Sequence, residues 1–313
     1  MGMDPHIKAH VEEQAKAAAA NPAPPLSAIP PEMVRAGYRA QRTAMNAGAP
    51  KDVESRDLQI GGAAGPIPAR LYTPAGAAAK TGGLVYFHGG GFVIGDLETH
   101  DGHCRRMAAY GGVRVLAVEY RLAPEHPFPC GHDDALAATR WAFDHADEIG
   151  FDRTKIAVGG DSAGGNLAAS VALDLRGDAD RKLAFQLLLY PAIWPVEPTN
   201  SRKTLDGPVL TQAAMTWFET CLAAETHPHA ARAVLGKVTD VSGAPPALVV
   251  TAGFDLLKDE GREWAEKLNA AGVPARHVEY PALVHDFFIM GDVSPAVDAA
   301  ARETAQALKE ALA

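Results

Sequence analysis

The sequence predicts a doubly wound α/β sheet, and three observations carry that prediction. From about Val53 onward strand-like and helix-like runs alternate. The central strand-like runs are apolar almost throughout. Glycine clusters stand directly after two of them. Alternation of this kind builds a largely parallel sheet with helices on both faces. A strand buried on both faces has no reason to alternate polar and apolar residues, so it reads as one apolar run.

The elements follow in order. Residues 1 to about 50 differ from the rest: Pro5 to Ala20 reads as a helix, Asn21-Pro-Ala-Pro-Pro as a break, and a second helix starts at Pro30-Pro31-Glu32 and runs to Asn46. Proline in the first turn and Asn-Ala-Gly at the end are start and stop signals. These two helices carry Met33, Val34, Tyr38 and Met45 but cannot bury them on each other, so they are expected to lie across something larger. Strand-like runs then fall at Val53–Ile60, Ile67–Tyr72, Gly83–Phe87, Val113–Val118, Lys155–Gly159, Ala184–Leu189, Ala247–Thr251 and Ala275–Tyr280. The first two alternate in polarity and are joined by the turn Gly61 to Gly65, as in an edge hairpin. Helices are expected at Thr99–Tyr110, Asp133–Asp147, Gly165–Arg176, Asp259–Ala271 and Pro295–Leu312. The tract from about Pro191 to Glu225, with Trp194, Trp217 and Phe218, breaks the alternation and reads as an insertion near the site.

At 313 residues the chain can bury one large core, with room for a smaller appendage. A hydrophobic fraction of 47% is that of an ordinary globular enzyme, and a net charge of -9 argues against nucleic acid, which requires a concentrated basic surface. Cys104, Cys130 and Cys221 are widely spaced and without a CxxC, which reads as buried, inert thiols in a reducing compartment. The first six residues are polar and lack an apolar core, no myristoylation pattern follows them, and no run approaches the length of a membrane span. A cytoplasmic protein with no membrane partner is the expectation.

The chemistry is carried by the glycine clusters. Gly160-Asp161-Ser162-Ala163-Gly164 sits between a strand-like and a helix-like run, and His88-Gly89-Gly90-Gly91-Phe92 follows another strand-like run. A serine between two glycines at a strand-to-helix turn is a hydroxyl pushed out of the sheet as a nucleophile, with a helix N-terminus behind it for developing negative charge. The competing reading of the first cluster is a phosphate-binding turn, but a Walker-type lysine and the GxGxxG spacing are both absent. The competing reading of the second is a flexible connector. With the serine, it reads instead as a backbone donor loop: Gly90, Gly91 and Ala163 would supply N–H groups to an oxyanion, and Gly89 would shape the turn. Together the two clusters propose an acyl-transfer hydrolase.

Serine needs a base. In such a fold the chain order is nucleophile, acid, histidine. After Ser162 only His227, His229, His277 and His285 remain. His227 and His229 lie in the insertion's polar tract. His277 lies inside a strand run and is the alternative. His285, just past the last strand, stands at the carboxyl edge where α/β sites assemble. Asp255, three residues past the penultimate strand, is the candidate acid, while Asp259 and Glu260 sit where carboxylates favour a helix's first turn. Asp161 competes by sequence only and is expected to brace the neighbouring loop. His100 and His103, three apart on a helix, have a metal-compatible spacing but no third ligand, so they read as a surface pair and no metal is expected.

These residues resemble the bacterial hormone-sensitive-lipase-like esterases, the family IV carboxylesterases of the α/β-hydrolase superfamily. The matching motifs are His88-Gly-Gly-Gly-Phe92, Glu119-Tyr-Arg-Leu-Ala-Pro-Glu-His-Pro-Phe-Pro129, Gly160-Asp-Ser-Ala-Gly-Gly165, Asp255-Leu-Leu-Lys-Asp-Glu-Gly261 and His285-Asp-Phe287, and they span nearly the whole chain. The Asp after the elbow glycine is that of the GDSAG subgroup. The resemblance implies an α/β-hydrolase fold with an eight-stranded, mostly parallel sheet flanked by helices. It implies a helical cap built from residues 1–50 and 191–225, over a catalytic core of 51–190 and 226–313. It implies a triad of Ser162, Asp255 and His285, hydrolysis of short- to medium-chain carboxylic esters as small-molecule substrates, and no cofactor. Homodimers through the final strand are common among such relatives. The chain departs from the pattern twice: Asp255 is followed by Leu where Pro is usual, and His285 by Asp where Gly is usual. An amidase or lactonase would use the same triad. A non-catalytic receptor on this fold, as in the plant gibberellin receptors, would have lost the histidine that is present here.

Overall fold

The computed structural model describes residues 2–313; the first residue of the N-terminal tract lies outside them. One sheet of eight strands organises the molecule: β1 (Glu54–Gly62), β2 (Gly65–Thr73), β3 (Thr81–Phe87), β4 (Arg114–Val118), β5 (Phe151–Asp161), β6 (Phe185–Leu189), β7 (Ala247–Phe254) and β8 (Ala275–Val284). Their spatial order is β1-β2-β4-β3-β5-β6-β7-β8. β1 and β2 form an antiparallel hairpin, β2 meets β4 antiparallel, and every pairing from β4 through β8 is parallel.

The apolar runs divide by period two between the two faces. Val85, Phe87, Leu116, Val118, Val158, Leu188 and Val249 face one core, packed by α4 (Cys130–Asp144), α6 (Ala163–Asp174) and α9 (Lys258–Ala270). Leu84, Tyr86, Val115, Ala117, Ala157, Leu187, Leu189, Leu248 and Val250 face the other, against α3 (Leu97–Gly111) and α10 (Pro295–Ala311). The architecture is the expected α/β-hydrolase sheet.

The two N-terminal helices are α1 (Pro5–Ala20) and α2 (Pro31–Ala44), each with proline in its first turn. α2 packs on α3. Its docking is apolar in part, as the sequence suggested: Val34 and Tyr38 pack against one core and Met45 is buried in the other, while Met33 stays 63% exposed. It is held as well by arginines at i, i+4 and i+7. Arg35 donates to the carbonyls of Val93 and Ala123 and grips Glu125, Arg39 pairs with Asp96 at the start of α3, and Arg42 reaches Asp286. Between β6 and β7 the chain forms α7 (Asn200–Thr204) and α8 (Gln212–Leu222), capped by the hydroxyls of Thr199 and Thr211. Met215, Trp217 and Phe218 of α8 are buried in the same core as α4 and α6.

Two expectations are corrected. Of the three cysteines only Cys104 is buried; Cys130 and Cys221 are partly exposed, on helices whose outer faces meet solvent. His100 and His103 are not a surface pair. Both lie on the inward face of α3, fully covered, because that helix packs between the sheet, α2 and α10. Among the described residues no cluster of ligating side chains has the makings of a metal site.

Candidate active site

The carboxyl ends of the parallel strands converge on one place. β5 ends at Asp161 and α6 begins at Ala163, so Ser162 alone makes the turn, with φ 55° and ψ -116°. That conformation is strained for a residue with a side chain. It persists because the chain is pinned on both sides: the Ser162 N–H donates to the Leu189 carbonyl, and its own carbonyl accepts from Asn166 and Ala192. The flanking glycines are required by close approach. A Cβ at Gly164 would stand 1.9 Å from the Phe87 carbonyl oxygen, and one at Gly160 would stand 2.4 Å from the same atom.

The structure brings Ser162, Asp255 and His285 together. Ser162 Oγ lies 2.9 Å from Nε2 of His285, and Nδ1 of the same ring lies 2.7 Å from Oδ2 of Asp255. The other carboxylate oxygen of Asp255 accepts from the Leu257 N–H at 2.8 Å, which fixes the carboxylate's plane. All three side chains are buried, Ser162 the least so at 7% exposed. Burial pulls the His285 pKa down, but the charge and hydrogen bond of Asp255 outweigh it, with Asp286 and Asp161 adding to the rise, so the imidazole titrates above its ordinary 6.5. His277, the other histidine considered, sits on β8 and meets Thr251 at 2.8 Å, away from Ser162.

Gly90 and Gly91 lie in the loop after β3, whose first residues touch the serine's turn: a Cβ at Gly164 would stand 2.7 Å from the His88 carbonyl oxygen, and one at Gly89 would stand 2.3 Å from Asp161. Gly90 and Gly91 both adopt positive φ, 106° and 59°. Among the described residues, the N–H groups of Gly90, Gly91 and Ala163 donate to no protein acceptor, whereas the Gly89 N–H is held by Asp161. Asp161 also accepts from the Tyr86 hydroxyl at 2.6 Å and meets Nε2 of His100 at 3.2 Å. Burial works against its ionised form, yet His100 and the two hydroxyl and ring contacts hold its pKa well below the carboxylate range. Asp161 thus ties the glycine loop to the serine's own strand, and His100 is its buried partner.

Some of this surrounding was not foreseen. Glu260 lies in the first turn of α9 but is fully covered, and it holds the corner after β6: its Oε2 accepts from the N–H groups of Ile193 and Trp194, and its Oε1 from Arg202. Burial raises its pKa to about 7 despite the arginine. Tyr190 packs its ring 4.8 Å from that of His285. Asn166 donates to the carbonyls of Ala192 and Ala233 and meets His132, so α6 is stitched to the segment after β6. The sequence signal for the polar contacts of α2 is the spacing of Arg35, Arg39 and Arg42 along one helical face.

A sharp strand-to-helix serine, a facing glycine loop and a buried histidine–carboxylate pair define a class of protein: hydrolases of the α/β fold that work through a serine. Comparison with known proteins places the chain within that class. The model of a family described as having the alpha/beta hydrolase fold matches residues 84–289, and the chain belongs to this family. It is similar to the esterase LipI of Mycobacterium tuberculosis, with 41% identity and 82% of each chain covered. It is also similar to an ethyl acetate hydrolase of Pseudomonas putida, with 37% identity and 79% of each chain covered. Among solved structures, an ester-hydrolase from the metagenome of Lake Arreo, in complex with a derivative of bipyridine phosphonate, superposes with a TM-score of 0.93 at 37% identity over 98% of both chains. The family is that of carboxylic ester hydrolases, and among the described residues no helix is long and apolar enough to cross a membrane.

Proposed function

We propose that the protein is a serine carboxylesterase in which Ser162 is the nucleophile, His285 the base and Asp255 the residue that orients it. The observation that carries this reading is the unbroken relay from Ser162 Oγ through both ring nitrogens of His285 to Asp255, at 2.9 and 2.7 Å. Ser162 Oγ attacks the ester carbonyl while Nε2 takes its proton. Asp255 keeps the proton of Nδ1 in place and stabilises the imidazolium without accepting that proton. The carbonyl oxygen, now negative, is met by the N–H groups of Gly90, Gly91 and Ala163, each unengaged by protein and so free for the oxyanion. Collapse of the tetrahedral intermediate expels the alcohol, which leaves with the proton from Nε2. Water then attacks the acyl carbonyl as Nε2 takes its proton, and collapse of this second intermediate releases the carboxylic acid while Nε2 returns the proton to Ser162 Oγ.

Short- to medium-chain acyl esters are the substrates of this reading. Two features support it: the similarity to an ethyl acetate hydrolase, and the closeness of α8 to the glycine loop, which leaves little width beside the donors. Residues 2–50 and 191–225 act as a cap in which α2 and α8 lean on the loops around the serine. The outer edge of β8, the last strand of the sheet, is where two copies would pair as a homodimer.

The test is Ser162→Ala. Turnover of p-nitrophenyl butyrate should fall by about 10⁵-fold or more with the melting temperature preserved, as expected when a triad member is lost. A fluorophosphonate should label the wild type and not the variant. Activity near that of the wild type would overturn the assignment. A panel of p-nitrophenyl esters from acetate to palmitate then sets the acyl range.

A further inference from the structure

Asp286, the residue after the base, has φ 64°, a left-handed conformation that glycine adopts without strain and aspartate adopts at a cost. Its side chain is 8% exposed at the residue level and points back into the site. One oxygen, Oδ1, lies 3.7 Å from Nε2 of His285, on the ring edge opposite Asp255. The other, Oδ2, accepts from Arg42 at 3.0 Å and from the Tyr38 hydroxyl at 3.2 Å, both on α2. Arg42 is itself 4% exposed, and its Nε has no partner among the described residues, so its charge is committed to Asp286. A carboxylate so fixed could have been spent on α2 alone, yet the free oxygen faces the nitrogen that must carry the proton.

We propose that Asp286, held by Arg42 and Tyr38, is a positioning residue for His285, a second carboxylate on the Nε2 edge that ties the histidine's protonation to the docking of helix α2. The inference rests on the triad reading above. When Nε2 takes the proton of Ser162, the imidazolium lies between two carboxylates: Asp255 in hydrogen bond to Nδ1, and Asp286 in electrostatic range of Nε2. Arg42 tempers the second. The other groups around the pair are the Tyr190 ring against His285, Asp161 at the end of β5, and its partner His100 on α3. Asp161 also favours the imidazolium, but its partners are Tyr86, the Gly89 N–H and His100, none of them on α2, which leaves Asp286 as the charge linked to that helix. Burial depresses the His285 pKa, Asp255 raises it most, and Asp286 adds to that rise, in line with the geometry.

The experiment is the acid limb of kcat/KM for p-nitrophenyl butyrate in full-length Asp286→Asn, Asp286→Gly and Arg42→Gln, each with its melting temperature. Removing the carboxylate should lower the limb by about half a pH unit or more in both Asp286 variants, since a charge within a few ångströms stabilises the cation. Glycine suits the backbone at 286, so that variant separates charge from folding. Removing the arginine should move the limb the opposite way, upward. A role confined to holding α2 down would lower activity in all three variants without opposite pH shifts. Limbs in Asp286→Asn and Asp286→Gly that superpose on that of the wild type would overturn the proposal even if Arg42→Gln fails to fold. Should Ser162→Ala remain active, the triad reading falls first; an inactive Ser162→Ala with unmoved limbs sinks only the role of Asp286.

Discussion

Phe218 of α8 stands over Gly91 so closely that a Cβ on the glycine would lie 2.1 Å from the ring's Cγ. The residue proposed to offer an N–H to the substrate is therefore roofed by an aromatic ring from a helix more than 120 positions further along the chain. Bare backbone at position 91 has two causes: the room is taken, and φ is 59°.

Gly91→Ala should accordingly move the donor loop rather than merely crowd it. The expected result is a loss of about 10²–10³ in kcat, the usual cost of one misplaced oxyanion donor. Steady-state kinetics on p-nitrophenyl butyrate measure it. A variant within tenfold of wild type would mean that the Gly91 N–H is not a donor.

The base must be neutral to accept the serine's proton, so activity rises with pH through the His285 pKa. Burial opposes the imidazolium, but Asp255 and the neighbouring carboxylates win, which puts the acid limb of kcat/KM above about 6.5. Asp255→Asn removes the leading favourable charge and frees the wrong tautomer. It should cut kcat by about 10⁴. A limb well below 6.5 in the wild type, or a loss under tenfold in the variant, would contradict this arrangement.

Glu260 makes a prediction about stability. Its pKa is raised from 4.5 to about 7 by burial, against the pull of Arg202. The folded state therefore binds the proton more tightly than the unfolded one, and the stability gained is present below about pH 4.5 and lost as pH rises through 7. Glu260→Gln mimics the protonated acid, so it should flatten that part of the curve and leave the melting temperature near that of the wild type at acid pH. Thermal melts from pH 4 to 8 decide it. Parallel wild-type and variant curves would assign the slope to another group.

The sheet was legible in the sequence because its signal is local. Each parallel strand is an apolar run that alternates between two cores, and each helix has its own punctuation, from Pro31 to the Ser294–Pro295 start of α10. The serine's turn was legible for the same reason: the glycines at 160 and 164 are forced by contacts within one strand-turn-helix unit. Partnerships across the fold were not. His100 and His103 looked like surface residues because nothing in α3 reveals that it is covered on so many sides. Glu260 read as a first-turn carboxylate, and its real partners, the N–H groups of Ile193 and Trp194, lie more than 60 positions earlier. The α2 arginines belong to the same group. A charge that will be buried by a distant loop reads the same, in one dimension, as a charge on a solvated face.

Ser162 and its histidine are 123 positions apart, and the contact between them exists only once the last strand has docked. Turnover is thus a sensitive gauge of completeness. On the proposed roles, a misregister of β8 that displaces His285 would leave the hydroxyl seated on its turn but without its base, so ester cleavage would report assembly of that far edge.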